Sequence, residues 1–120
     1  MRFMMIRRAD QVSEAGIKPD PEVFAAIDQY ASQMSNAGIL VTGEGLKPSA
    51  QGTRIRFDNG KPTVVDGPFT ETKELIAGYF IIDVKSKEEA IEWTKRWPAI
   101  GSDANVELEL RPFYEATDFE

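Results

Sequence analysis

The chain of 120 residues contains no cysteine and no histidine. Without cysteine there are no disulfides, thiol nucleophiles or thiolate metal sites. Without histidine the usual general base near neutral pH and the commonest metal ligand are both missing. Ser-His and Cys-His nucleophilic pairs, a His-ligated haem and an imidazole-based zinc site are therefore excluded. Acid–base work falls to Asp, Glu, Lys or Tyr. Long hydrophobic runs are missing too. The longest nearly apolar stretch, Ile76 to Ile82, is far too short to span a bilayer. Phe3 to Ile6, followed by Arg7 and Arg8, is too short for a signal-peptide core. The expectation is a cytoplasmic protein without a membrane partner.

What is present describes a folded chain. A hydrophobic fraction of 42% with seven Phe fits one domain over residues 1–120. The net charge of -6 disfavours nucleic acid, whose backbone rewards Lys and Arg. The first half is neutral, and the second carries seven basic against thirteen acidic side chains.

Hydrophobic patterning sets the elements. Arg2 to Arg7 reads as a strand apolar on both faces, and Ala9 to Lys18 as a polar loop. Asp20-Pro21 opens a helix, with Asp20 as N-cap and proline at the first helical position. Val23, Ile27, Tyr30 and Met34 then form one apolar stripe, and Gly38 ends the helix. Ile39 to Gly45 is a second strand. Thr53 to Phe57 alternates, which predicts Ile55 and Phe57 inward with Arg54 and Arg56 outward. Asp58-Asn59-Gly60 signals a hairpin returning through Thr63 to Val65. Ile76 to Val84 reads as a central strand, Ser86 and Glu89 as a capping box for a second helix ending before Pro98, and Val106 to Arg111 as a last strand. Trp93 and Trp97 are expected to pack in the core. The order predicts an α+β fold, a ferredoxin-like plait with an inserted β-hairpin.

That plait makes a demand. Two helices cover one face of a sheet, yet the first and central strands are apolar on both faces. Either a second copy covers the open face, giving a homodimer, or loops and the tail with Phe113, Tyr114 and Phe119 fold over it.

Asp66 to Glu74 reads Asp-Gly-Pro-Phe-Thr-Glu-Thr-Lys-Glu, followed by Gly78-Tyr79. This resembles the DGPF domain of the YCII-related proteins. So do Gly38-Ile39-Leu40 with Gly43-Glu44-Gly45-Leu46, Ala90-Ile91-Glu92-Trp93 before Pro98, and Glu109-Leu110-Arg111-Pro112. The resemblance implies a dimeric α+β barrel, in which two protomers meet through their sheets. It also implies a link to extracytoplasmic-function sigma factors. The wider family's proposed His–Asp pair, exemplified by a dehydrochlorinase, does not carry over: Asp66 matches its acidic half, and the chain has no His.

Around that loop two readings stay open. On the first, Asp66 caps the following turn, Gly67 permits a positive φ or a close approach, and Phe69 anchors the loop in the core. On the second, Asp66, Glu71, Lys73 and Glu74 surround a pocket between sheet and loop, with Asp66 as general base. The acidic spacing matches no calcium loop, so neither metal nor cofactor is indicated. Arg54, Arg56 and Arg111 are forks able to clamp an acidic ligand, or ion-pair partners; for Arg111 the partner would be Glu109 or an acid of a second copy. Tyr79 reads as core packing or as a hydroxyl presented to a ligand. Glu44, framed by Gly43 and Gly45, marks a bulge or a close contact beside the pocket. The leading expectation is a dimeric protein with a small-ligand pocket at Asp66 to Glu74. The alternatives are a cofactor-free lyase or isomerase, a regulatory module, and a dimer without a small-molecule role.

Overall fold

Burial along the strands alternates, and the alternation divides the molecule into two layers. A computed structural model describes residues 1–120. Its strands are β1 (Arg2–Arg8), β2 (Leu40–Gly45), β3 (Thr53–Asp58), β4 (Lys61–Asp66), β5 (Ile76–Asp83) and β6 (Leu108–Pro112). Its helices are α1 (Gln11–Glu14), α2 (Pro21–Asn36) and α3 (Lys87–Thr94). Four strands form an antiparallel sheet in the order β2-β5-β1-β6, and β3 pairs only with β4. This is the ferredoxin-like order with an inserted hairpin, as the pattern predicts.

One face of the sheet meets α2 and α3. Phe3 and Met5 of β1, with Phe80 and Ile82 of β5, are buried against Tyr30, Met34 and Ala90. Tyr30, Phe80 and Trp97 meet edge to face, with ring centres 5.7–5.9 Å apart. The Tyr30 hydroxyl donates to the Trp93 carbonyl at 2.6 Å. Gly43 lies under the Phe80 ring, and a Cβ there would stand 2.2 Å from it. The glycine is a packing requirement of β2, and the register shift of that strand lies between Leu40 and Thr42. Glu44 is therefore not at a bulge.

The helix ends differ in detail from the expectation. Pro21 opens α2, but the Asp20 side chain makes no cap bond; its carbonyl accepts the Phe24 N–H at 3.0 Å. Residues 9–18 are not all loop. Asp10 accepts the Ser13 N–H, the Ser13 hydroxyl faces the Asp10 N–H, and this reciprocal pair starts α1. At α3, Ser86 accepts the Glu89 N–H, while Glu89 reaches the Lys85 N–H, one residue earlier than a capping box requires. The last strand begins at Leu108 rather than Val106.

Three packing expectations are corrected. Ile55 and Phe57 are exposed rather than inward, because β3 and β4 form a separate ribbon rather than part of the core sheet. Phe69 is not in the core; the Arg54 guanidinium sits 3.8 Å from its ring centre. The tail does not cover the sheet either. Tyr114 and Phe119 pack on each other and stay exposed. No helix is long and apolar enough to cross a membrane.

Candidate functional site

Directly opposed residues of antiparallel strands share a face. Since Phe3, Met5, Phe80 and Ile82 face the helices, Met4, Ile6, Tyr79 and Ile81 face the other way. Register then builds two rows across this open face. One runs Glu44, Tyr79, Ile6, Glu109; the next runs Thr42, Ile81, Met4, Arg111. The floor is apolar and half-buried apart from the Tyr79 phenol, and the charged groups stand on the two outer strands.

Glu109 is held from two sides. The Arg8 Nη1 donates to its Oε1 at 3.0 Å, and Arg111 donates to its Oε2 through Nε at 3.0 Å and again through Nη2. The Arg111 hydrogen bonds and charge, aided by Arg8, outweigh desolvation and keep the Glu109 carboxyl below its ordinary range. Of the partners expected for Arg111, the one realised within the chain is Glu109.

Arg8 also lines a cleft of about 280 Å³ with Asp10, Thr72, Lys73 and Glu107. This cleft joins the end of the open face to the segment after Asp-Gly-Pro-Phe. Burial raises the Asp10 carboxyl, but the Ser13 and Val12 N–H groups, the Ser13 hydroxyl and Arg7 more than offset it and hold the group low. Lys73 makes no ion pair.

The Asp-Gly-Pro-Phe segment is fixed from outside itself. The Gly67 N–H donates to the Gly52 carbonyl at 3.0 Å, and the Phe69 N–H donates to the Ser49 hydroxyl at 3.0 Å. Ser49 in turn donates through both its N–H and its hydroxyl to the Glu14 carboxylate. The Gly67–Pro68 bond is cis, and φ at Gly67 is not positive. Close approach is what requires glycine here. Asp66 does not cap the turn; it is exposed and accepts from the Thr53 hydroxyl at 3.1 Å. A second cleft, of about 450 Å³, lies beside Glu14, Ser49, Leu46 and Leu75.

The structure thus brings Glu44, Tyr79 and Arg111 onto one face, joined through Glu109 and Arg8 to the cleft that holds Lys73. Asp66, Gly67, Glu71 and Glu74 line neither cleft. Arg54 stacks on Phe69, and Arg56 is exposed on the ribbon. Sequence reasoning missed the Glu14–Ser49 tether and Asp103. That carboxylate is 3% exposed, accepting from Arg7 Nη2 at 2.9 Å and Trp97 Nε1 at 3.3 Å. No three acidic side chains converge in a manner suited to a metal ion.

An uncharacterised protein of Rhizobium meliloti is 31% identical over 87 residues, 72% of this chain and 70% of that protein. Among solved structures, 5-chloro-2-hydroxyhydroquinone dehydrochlorinase from Burkholderia phenoliruptrix, in complex with 2,5-dihydroxybenzoquinone, shares the fold. Its TM-score is 0.51 at 12% identity, over 98% of each chain. A family model, that of the YCII-related domain, matches residues 1–114. The chain belongs to the YCII-related domain family.

Proposed function

We propose that the protein is a homodimer that holds a small organic molecule against the open face of its sheet. The row Glu44, Tyr79, Ile6 and Glu109 carries this reading. Small-molecule sites combine an apolar floor with a few convergent polar groups. Met4, Ile6 and Ile81 supply the floor. Glu44, the Tyr79 phenol and the Glu109–Arg111 pair supply the polar groups, with Arg8 and Lys73 at the adjoining cleft. A symmetric copy seated on this face excludes water from the floor and encloses the space above it.

The groups define a ligand class: a compact apolar ring or chain bearing hydroxyl or acidic substituents. Tyr79 and Glu44 suit hydroxyls, and Lys73, free of ion pairs, suits an acid. Binding is favoured over proton abstraction by Asp66 because that carboxylate is exposed on β4 with Thr53 as its partner.

The quinone bound by the dehydrochlorinase belongs to this class and serves as a first probe, beside simple phenols and hydroxybenzoates. Backbone amide shifts in nitrogen-15 NMR spectra should move at Tyr79, Ile6 and Glu109 on saturable addition of a binding member. Tyr79→Phe should weaken that binding, and Asp66→Asn should leave it unchanged. Shifts centred on β3 and β4, or no saturable binding across the panel, would contradict the reading.

A further inference from the structure

We infer that the β3–β4 ribbon is an arm whose apolar face lies on a second copy of this chain. Cross-strand pairing sorts its side chains onto two faces. Ile55 stands opposite Val64 and Phe57 opposite Pro62; Arg54 stands opposite Val65 and Arg56 opposite Thr63. Arg54 stacks on the Phe69 ring of its own chain, while Arg56 and Lys61 stay exposed on the ribbon. The apolar face is turned outward: Ile55, Phe57 and Val64 are 56%, 69% and 66% exposed. A lone two-stranded ribbon is marginal in water. Here the side chains that could stabilise it pair across the ribbon and still leave more than half of their surface in water.

The arm also stands clear of the body. No strand of the four-stranded sheet pairs with it. The radius of gyration is 16.2 Å, against about 14 Å for a compact domain of this length.

Charge, area and continuity select a second copy as the occupant. Residues 53–66 carry Arg54, Arg56 and Lys61 against Asp58 and Asp66, a net +1 within a chain of net -6. The rest of the molecule is therefore strongly acidic, and a basic arm meets an acidic body when two copies associate. Four strands spaced about 4.8 Å apart, each of about six residues, give the open face a planar area of roughly 400 Å². A stable interface takes about 800 Å² of accessible surface from each partner, and two reciprocal arms add their exposed apolar side chains to what the sheet contributes. Continuity supplies reach. The ribbon is inserted between β2 and β5, the strands that present Glu44 and Tyr79 on the open face. The six residues of β3 span roughly 20 Å, about the width of the four-stranded sheet. The inference rests on the open-face dimer proposed above and adds a second contact to it.

Sedimentation velocity on the full chain separates the two. Phe57→Asp combined with Val64→Asp alters only exposed positions of the arm and should raise the dimer Kd by about tenfold or more. Thr63→Ser, on the opposite face of the ribbon, should leave Kd nearly unchanged. In the unaltered protein, amide hydrogen exchange in β3 and β4 should slow when concentration rises through Kd. If the double variant dimerises normally and this exchange ignores concentration, the arm inference is overturned, whatever becomes of the sheet contact. Ile81→Asp tests that contact: dissociation by this variant alone leaves the open-face dimer standing without the arm. Dissociation by the arm variant alone retains the arm and removes the open-face reading. A monomer at every concentration overturns both.

Discussion

Gly67 passes so close to Ser49 that a Cβ on the glycine would stand 1.8 Å from the Ser49 carbonyl oxygen. The atom in the way is backbone, and it belongs to the turn that Glu14 holds through Ser49. Neither side of this contact can yield by rotating a side chain.

Gly67→Ala should therefore destabilise the fold by about 1–3 kcal/mol, the range for overpacking a fitted site. Gly45→Ala, where a Cβ meets nothing within 4 Å, is the comparison. Urea unfolding of both variants measures the difference. Equal midpoints would show that the approach of residues 49 and 67 is not a constraint.

Asp103 is a second place where a single group matters. Asp103→Ala leaves the Arg7 guanidinium without its buried partner and the Trp97 N–H without an acceptor. Breaking a buried pair from one side costs about 3–5 kcal/mol; Asp10, 3.5 Å from Arg7, offsets part of this, and the variant should still melt below the parent protein. Replacing Arg7 by Met together with Asp103→Leu should recover part of the loss, because no charge is then left buried. Thermal melts of the three proteins test the pairing.

Much of this architecture was legible in the sequence. The stripe Val23, Ile27, Tyr30 and Met34 repeats at helical spacing, and the structure buries Val23, Tyr30 and Met34 with Ile27 at their edge. Asn59-Gly60 announced the turn of the ribbon, and both residues have positive φ. Alternation in β3 distinguished two faces correctly but could not say which one meets the body, because a period of two is blind to what lies beyond the sheet. Glu14 and Ser49 are 35 residues apart, and no local pattern joins them. Asp103 carries no neighbour signal either; its partners come from β1 and from the turn that follows α3. Asp10 with Ser13 was readable as a cap, but the polar residues around it masked a helix of only four residues.

At the alkaline end, burial pushes the Tyr30 phenol above its ordinary value of 10.0, with only a small opposing effect of Arg96. A raised folded-state value means that the unfolded chain loses this proton first. The contribution of Tyr30 is thus complete below pH 10.0 and falls as pH rises beyond it. Urea unfolding at pH 9 and pH 11 should show this loss in the parent protein and a smaller one in Tyr30→Phe. An equal loss in both would assign the alkaline sensitivity elsewhere.

At the acid end the sign reverses. The Glu109 carboxyl is held below its ordinary value of 4.5, first by the Arg111 hydrogen bond and charge. Its contribution is present above that value and is lost as pH falls through the lower folded-state one. Carbon-13 titration of the Glu109 carboxyl should give a midpoint below 4.5, and Arg111→Gln should move it upward. An unmoved midpoint would mean that Arg111 does not hold Glu109 in solution.

The account turns on whether the apolar rows of Met4, Ile6, Tyr79 and Ile81 meet water or a second copy. Light scattering coupled to size-exclusion chromatography, at micromolar concentration, addresses this without any ligand or substitution. The account predicts a mass of twice the 13.4 kDa of one chain. A single species of 13.4 kDa across the concentration range would contradict it, because those rows would then be the surface of a stable monomer.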